Sequence, residues 1–390
     1  MKGREIKLMR TLFFAYTPFQ CMAALAIKEQ FYKDSETDIM ISDSVHRRNT
    51  LKDNILENDL FDHVYYGDIR TFFPKSQNKI KHEVMRIWSA AVPTYIAKHI
   101  EFESANYDVF VTTEVNYYTE SIFSLLKKVN PNIKVELMDE GYSSYTYYFR
   151  ENYRPTTRKN KIKRLLFRAL GLLTSRKYIS DQAKKIYYFA PELLCWKDIP
   201  YQIEKIDTSL IMDYRSLVNQ MFGYGQLNVD GIAEEYKEKF IFFEESFFWS
   251  QGNQNDVEII NRIADIVGKE NMIIKLHPRN QINRFEDMGY KTNKTEGIPW
   301  ELVVLNMNPK KEKVFITFSS GAVLNFKFLV TDNKCKSILL YDCKGVDYYS
   351  VSEELKQWFL LYKINYGSQM FIPRNMDELR NHLVADDGGE

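Results

Sequence analysis

The sequence predicts an α/β protein built from two domains, each with a parallel β-sheet. Short apolar runs alternate with helical patterns along the chain, and this alternation favours parallel strands covered by helices. The chain has 390 residues, of which 45% are hydrophobic, so two full cores can form. No internal repeat is visible. We therefore expect one domain at 1–222 and a second at 223–390, with a linker near Gly223.

The strands follow from these apolar runs, taken in chain order. The first half opens with a strand, a turn and a helix over 11–27, and further helices are expected at 83–102 and 118–128. Four further strands are expected in this half at 38–42, 64–66, 109–112 and 135–137, and 186–191 is expected as its last strand. Those expected in the second half are 240–243, 272–276, 314–318 and 337–341.

The amino terminus superficially imitates a signal peptide, because four basic residues precede the uncharged stretch 11–27. Pro18 and Gln20 interrupt this stretch, and it is short for a membrane span. We interpret it as the first strand and helix of the fold. The expected location is therefore the cytoplasm.

Composition excludes several classes of function. The formal net charge is +1, so no global field would attract nucleic acid. Four cysteines are scattered without a CxxC pair, which favours buried free thiols. Six histidines show no HxH or HExxH spacing, so no metal site is expected.

An acidic pair stands at the end of a strand in the first half. The run 135–138 leads into Asp139, Glu140 and Gly141, which indicates a strand entering a glycine turn. Ligand sites in α/β sheets lie at the carboxyl ends of strands. Adjacent side chains on a strand point to opposite faces, so at most one of the two carboxylates can easily reach a given substrate atom. A solvated turn is the structural alternative.

Two strand ends in the second half repeat this arrangement. His277, Pro278 and Arg279 follow the apolar run 272–276. Ser319, Ser320 and Gly321 follow the run 314–318 and precede a helical pattern, so hydroxyl and N–H groups would face an anion at a helix start. A capped strand end and a simple helix N-cap are the alternatives. The conjunction of all three motifs, in order and at strand ends, favours function.

This set of motifs resembles bacterial sialyltransferases, most closely the lipooligosaccharide enzymes of glycosyltransferase family 52. The resemblance implies a GT-B fold, in which two Rossmann-like domains face each other across a cleft. It also implies inverting transfer from CMP-sialic acid, without cofactor or metal, to a galactose-type hydroxyl on lipooligosaccharide or capsule precursor, with α-2,3 as the expected linkage. Glu140 would then be the catalytic base, with Asp139 as the alternative, and His277 would assist departure of the CMP phosphate.

Two further segments extend the resemblance. Related sialyltransferases hold the ribose with a glutamate between the second and third motifs, where this chain has Glu301; an ordinary helix start is the alternative. The amino-terminal strand ends in a turn with Thr17 and Gln20, similar to the turn with which those enzymes begin. We expect Thr17, Gln20 and Gly141 to line the acceptor or donor.

The segment 154–185 stands apart in charge, because it carries eleven basic residues and one acid, Asp181. Its leucines would give a basic amphipathic helix that lies on the anionic inner face of the membrane. The alternative is a solvated helix that packs on its own domain or on a second subunit, which would make a homodimer. Two rival functions stay open: a GT-B transferase that uses another nucleotide sugar, such as a glucosyltransferase, and a non-catalytic membrane-surface protein.

Overall fold

The computed structural model describes most of the chain, and the two halves of the fold can be followed within these residues. The described residues are 8–68, 100, 102–113, 117–146, 179, 182–196, 199–224, 234–245, 256–278, 280, 282–293, 298–307, 311–330, 334–345 and 351–387. The chain divides into two compact units, Met1–Gly223 and Tyr224–Glu390. The boundary that the sequence predicts, between 222 and 223, differs from this division by one residue.

The first unit is a parallel sheet with helices between its strands. Its strands are β1 Arg10–Ala15, β2 Glu36–Ser42, β3 His63–Gly67, β4 Val109–Thr112, β5 Lys134–Met138, β6 Lys185–Tyr188 and β7 Gln202–Lys205. Its helices are α1 Pro18–Phe31, α2 Arg48–Glu57, α3 Tyr117–Val129 and α4 Ile211–Phe222. The strand order is β3-β2-β1-β4-β5-β6-β7, so the direction of winding reverses between β1 and β4.

The second unit repeats the plan with a six-stranded parallel sheet. Its strands are β8 Phe240–Phe243, β9 Met272–Lys275, β10 Lys291–Thr292, β11 Lys313–Thr317, β12 Cys335–Leu339 and β13 Met370–Phe371. Its helices are α5 Asp256–Val267, α6 Trp300–Asn306, α7 Ala322–Leu329, α8 Glu353–Tyr366 and α9 Met376–Asp387. The order is β10-β9-β8-β11-β12-β13, with the reversal between β8 and β11. The prediction of two α/β domains with parallel sheets is confirmed.

The central strands are apolar on both faces because helices cover both sides of each sheet. In the second unit Phe242, Ile274 and Ile316 have no exposed surface, and Ile260 of α5 joins them in one core. This continuous burial is what made β4, β8, β9 and β11 visible as short apolar runs in the sequence.

The expectation that 186–191 is the last strand of the first domain is wrong. β7 pairs with β6 beyond it, for example through Ile203 opposite Ile186. Its residues are mostly exposed, so an edge strand forms here without the apolar run by which the others were found. The helix expected at 83–102 lies largely outside the described residues.

The basic segment 154–185 also lies almost wholly outside the described residues. Its last residue, Lys185, begins β6 and so is not helical. Within the part of the chain that the structure describes, no helix has the length and apolar character needed to cross a membrane.

A buried carboxylate lies at the amino-terminal edge of the first sheet, opposite the strand ends that carry the motifs. Asp38 has no exposed surface and contacts three partners. His63 Nδ1 is 2.9 Å from Asp38 Oδ1, Arg10 Nη2 is 3.4 Å from Oδ2, and the Tyr107 hydroxyl donates to Oδ2. Arg10 Nε also donates to Glu36 at 2.6 Å. The network joins the starts of β1, β2 and β3.

This network should make the stability of the first unit depend on pH. Partial burial lowers the pKa of His63, but the hydrogen bond and charge of Asp38, with the charge of Glu103, outweigh it and raise the pKa. A raised histidine pKa stabilises the fold fully below the unfolded value of about 6.5. The free energy of unfolding should therefore fall as pH rises through the folded pKa.

Chemical denaturation from about pH 6 to about pH 9 measures this slope. We expect His63→Gln to lose it, whereas His46→Gln, which removes an exposed imidazole, should keep the wild-type profile. Parallel profiles for the wild type and His63→Gln would show that His63 does not couple to folding.

Candidate active site

Three neighbouring strands of the first unit deliver polar side chains to the same edge of the sheet. β1, β4 and β5 are adjacent and parallel, and their carboxyl ends lead into Thr17, Thr113 and the pair Asp139 and Glu140. The reversal of winding lies between β1 and β4. Crevices at the carboxyl ends of strands beside such a reversal are where ligands bind in open α/β sheets.

Asp139 is turned into the protein. Its side chain is fully buried and accepts hydrogen bonds from Gly141 N at 2.7 Å, Ser144 Oγ at 2.8 Å, Phe189 N at 3.2 Å and the Tyr145 hydroxyl. Burial raises the pKa of Asp139 to about 6, and the four donors oppose this rise. This carboxylate therefore holds the turn after β5 together.

Glu140, in contrast, is only partly buried. Its Oε1 accepts a hydrogen bond from Ser143 Oγ at 2.7 Å, and its Oε2 lies 3.4 Å from Thr113 Oγ1. Gly141 follows with a φ of 101°, a conformation that favours glycine, and this lets the chain turn into the short helix Tyr142–Tyr145. The two acids thus take separate positions, as the alternation of side chains along a strand requires.

Thr17 and Gln20 form the start of α1. Thr17 Oγ1 accepts a hydrogen bond from Gln20 N at 3.2 Å, and Gln20 Oε1 accepts one from Tyr16 N at 2.6 Å. Gln20 is buried, whereas Thr17 is exposed at the sheet edge. Gln20 is therefore part of the helix cap, and of the two residues Thr17 is the one that a ligand can reach.

In the second unit, His277 leaves the carboxyl end of β9 and is partly buried. Its backbone N–H donates to Glu244 Oε2 at 2.9 Å. Glu244 is itself buried, and its Oε1 accepts a hydrogen bond from Arg284 Nη2 at 3.1 Å. Pro278 is exposed, and Arg279 lies outside the described residues. The neighbouring strand β8 therefore supplies the acid that fixes the backbone of His277.

The two serines form the link between β11 and α7. Ser319 is buried and Ser320 partly exposed. Ser320 N donates to Thr317 Oγ1 at 3.2 Å, and Ser320 Oγ lies 3.4 Å from Ala322 N. Gly321 is the N-cap residue of α7. The serines therefore directly precede a helix start, and a helix start is favourable for an anion.

Sequence reasoning missed Glu245, which directly follows β8. In the sheet, β8 lies between β9 and β11, the strands that lead into the histidine and serine motifs. Glu245 Oε1 accepts hydrogen bonds from Thr317 Oγ1 and from Ser319 N, both at 3.0 Å. Burial raises the pKa of Glu245, and these donors oppose the rise. The signal was present in the sequence, because Glu244 and Glu245 directly follow an apolar strand, as Asp139 and Glu140 do.

Glu301 lies in the first turn of α6 and is buried. Asn325 of α7 donates from Nδ2 to Glu301 Oε1 at 3.4 Å, and Asn325 Oδ1 is buried without a hydrogen-bond partner among the described residues. Burial raises the pKa of Glu301, and the positive charge of Lys275, at the end of β9, opposes this. Glu301 is thus held by the helix after the serine motif.

One group of described residues could bring metal ligands together. Potential ligand atoms of Glu36, Asp38 and His63 lie within 4.8 Å of one another. Arg10 already binds Glu36 and Asp38, however, and the group lies at the amino-terminal edge of its sheet. The group is therefore an ion-pair network, and it lies at the opposite edge of the sheet from Glu140.

The structure groups the predicted residues within each unit. Thr17, Glu140 and Gly141 share one edge of the first sheet. His277, Ser319 and Ser320 follow β9 and β11, the two neighbours of β8 in the second sheet.

Solved structures of other proteins share this fold over nearly the whole chain. The UDP-GlcNAc 2-epimerase of Methanocaldococcus jannaschii aligns with 98% of this chain and 93% of its own, at 14% identity and a TM-score of 0.52. Arabidopsis thaliana UGT89C1, complexed with UDP, aligns over 98% and 91%, at 7% identity and a TM-score of 0.54. At these identities the likeness shows the GT-B fold and nothing more.

A third structure aligns with a TM-score just below 0.5. The α/β-galactoside α-2,3-sialyltransferase of Photobacterium phosphoreum aligns with 93% of this chain and 98% of its own, at 12% identity and a TM-score of 0.49. No curated protein sequence matches the chain.

The family model described as alpha-2,8-polysialyltransferase (POLYST) matches residues 11–339. This span includes all of β1 except its first residue, together with the acidic, histidine and serine motifs. The assignment to sialyltransferases is thereby supported, although the matching family is not the lipooligosaccharide group that the motifs most resemble. The chain belongs to the alpha-2,8-polysialyltransferase family.

Proposed function

We propose that this protein is an inverting sialyltransferase that transfers sialic acid from CMP-sialic acid to a hydroxyl group of a glycan acceptor. The observation that carries the proposal is the division between the two acids after β5. The buried carboxylate of Asp139 accepts four internal hydrogen bonds, whereas Glu140 is partly exposed at the carboxyl edge of the sheet. A sialyltransferase needs one such carboxylate as a base, and membership of the family supplies the reaction class.

Glu140 acts on the acceptor side. Its carboxylate takes the proton from the acceptor hydroxyl as that oxygen attacks the anomeric carbon through an oxocarbenium-like transition state. Ser143 and Thr113 contact its two oxygens and fix its orientation. Less entropy is lost on reaching the transition state when the base is already held in position, and the barrier is lower for this reason.

The second unit provides the donor side. His277 donates a hydrogen bond or a proton to the phosphate of CMP as that group leaves, and Ser319 and Ser320 add hydroxyl groups. Glu301, held by Asn325, binds the ribose hydroxyls. A nucleoside monophosphate carries less charge than a diphosphate, so these groups suffice without a metal ion.

Two classes of glycan acceptor are candidates. The motifs resemble enzymes that act on a galactose-type hydroxyl through an α-2,3 linkage, on lipooligosaccharide or capsule precursors. The description of the matching family favours the 8-hydroxyl of a sialic acid instead. Assays with a galactose-terminated and a sialic-acid-terminated oligosaccharide, followed by linkage analysis of the product, decide between them.

Nucleotide choice is the first test. Because a ligand that binds only the native state raises its apparent stability, CMP should raise the melting temperature and UDP should not. Ser320→Ala should reduce the CMP shift, since it removes one hydroxyl from the donor side. A shift with UDP and none with CMP would replace the sialyltransferase proposal by a transferase of another nucleotide sugar.

We also propose a cellular location and a mode of assembly for this protein. We place the enzyme at the inner face of the cell membrane, attached through the basic segment 154–185, with a homodimer as the alternative use of that segment. Eleven basic residues among its 32 positions support this.

A further inference from the structure

The side chain of Glu245 lies on the serine turn that the proposed function assigns to the donor phosphate. Its Oε1 accepts hydrogen bonds from Ser319 N and Thr317 Oγ1, each at 3.0 Å. The backbone N–H groups of Ser319 and Ser320 both stabilise its charged form. A carboxylate thus already satisfies the donors at this turn.

A phosphate and a carboxylate compete for such donors, because both are anions that accept hydrogen bonds from the same N–H groups. Two anions cannot share them at contact distance without strong repulsion, since the local dielectric is low. Burial already disfavours the charge of Glu245, as its raised pKa shows. A ligand with more charge and more acceptor oxygens can therefore displace it.

The backbone of Glu245 is anchored by contacts that do not involve its carboxylate. Asn280 Nδ2 donates to the carbonyl oxygen of Glu245 at 2.9 Å, and Asn280 N donates to the carbonyl oxygen of His277. The same asparagine thus ties the ends of β8 and β9 together. Displacement of the carboxylate needs only side-chain torsions and leaves this tie intact.

We propose that Glu245 is an internal competitor for the donor phosphate, whose carboxylate occupies the Ser319–Ser320 turn until a phosphate-bearing ligand displaces it. The inference rests on the proposed function for the location of the phosphate. Glu245 thereby controls the affinity for the donor and keeps the turn ordered when no donor is bound.

The test measures the dissociation constants of CMP, UMP and inorganic phosphate by calorimetry. For Glu245→Gln we expect every phosphate ligand that binds to bind about tenfold more tightly, because hydrogen bonds donated to a neutral amide oxygen are roughly half as strong as those donated to a carboxylate. Glu245→Asp keeps the charge but shortens its reach, so it should tighten binding by a smaller factor. Glu258→Gln, which removes an exposed charge from α5, is the matched control and should leave binding unchanged.

The outcomes separate this inference from the proposed function. Tighter binding of UMP to Glu245→Gln, with no binding of CMP to any variant, would refute CMP-sialic acid as the donor and leave the role of Glu245 as competitor in place. Tighter binding of CMP supports both. Unchanged or weaker binding of every phosphate ligand to both Glu245 variants would overturn the inference and make Glu245 a permanent brace of the turn. Absence of phosphate binding to all variants would overturn it as well.

Discussion

Glu140→Gln should reduce turnover by about 10² to 10⁴ while leaving the affinity for CMP nearly unchanged. The glutamine amide cannot take the proton from the hydroxyl group of the glycan acceptor. Its oxygen can still accept the hydrogen bond from Ser143. The loss should therefore appear in the chemical step. Initial rates with CMP-sialic acid, combined with calorimetry of CMP binding, measure both quantities.

Thr113→Val serves as the control for this prediction, because it removes the weaker contact of Glu140, at 3.4 Å, and keeps the carboxylate. It should cost much less in turnover than Glu140→Gln. If Glu140→Gln were as active as the wild type, Glu140 would leave the mechanism and the base would have to be sought elsewhere, with Asp139 as the first alternative.

Asp139→Ala should destabilise the first unit by about 3 kcal/mol or more. The substitution removes the shared acceptor of four buried donors, those of Gly141, Ser144, Tyr145 and Phe189, of which Ser144 Oγ keeps its hydrogen bond to the carbonyl oxygen of Gly141. Each buried donor that loses its partner costs about 1–3 kcal/mol, and relaxation recovers part of the sum. Urea denaturation followed by circular dichroism measures the change.

Asp34→Ala is the matched control, because Asp34 is exposed and its replacement should change stability by less than about 0.5 kcal/mol. Asp139→Asn should be milder than Asp139→Ala, since the amide oxygen keeps part of the acceptor capacity. A fully stable Asp139→Ala protein that had lost all activity would instead assign Asp139 a direct role in the reaction.

The strand ends were predictable because their signal is local. A central strand of a parallel sheet is buried on both faces, so it appears as a short apolar run, and the polar residue that follows it is placed at the carboxyl edge. Local sequence patterns of this kind are enough to locate Glu140, His277 and Ser320. They are not enough for β7, since an exposed edge strand leaves no such run.

The separate positions of the two acids were partly predictable. Alternation along a strand shows that Asp139 and Glu140 cannot both face a substrate, but it does not show which one is buried. The structure decides this through Phe189 N, a donor fifty positions away in the sequence, and through the turn that Gly141 permits. Only the resemblance to sialyltransferases favoured Glu140 in advance.

The sequence by itself determined the two α/β domains, the order of the motifs and the edge of each sheet at which they lie, because these depend on periodicity and burial along single strands. The tertiary structure alone decided which side chains meet there. Glu245 reaches Ser319 across 74 positions, and Asn325 reaches Glu301 from the next helix. Such contacts depend on strand order, and β8 comes to lie between β9 and β11 only when the sheet is assembled.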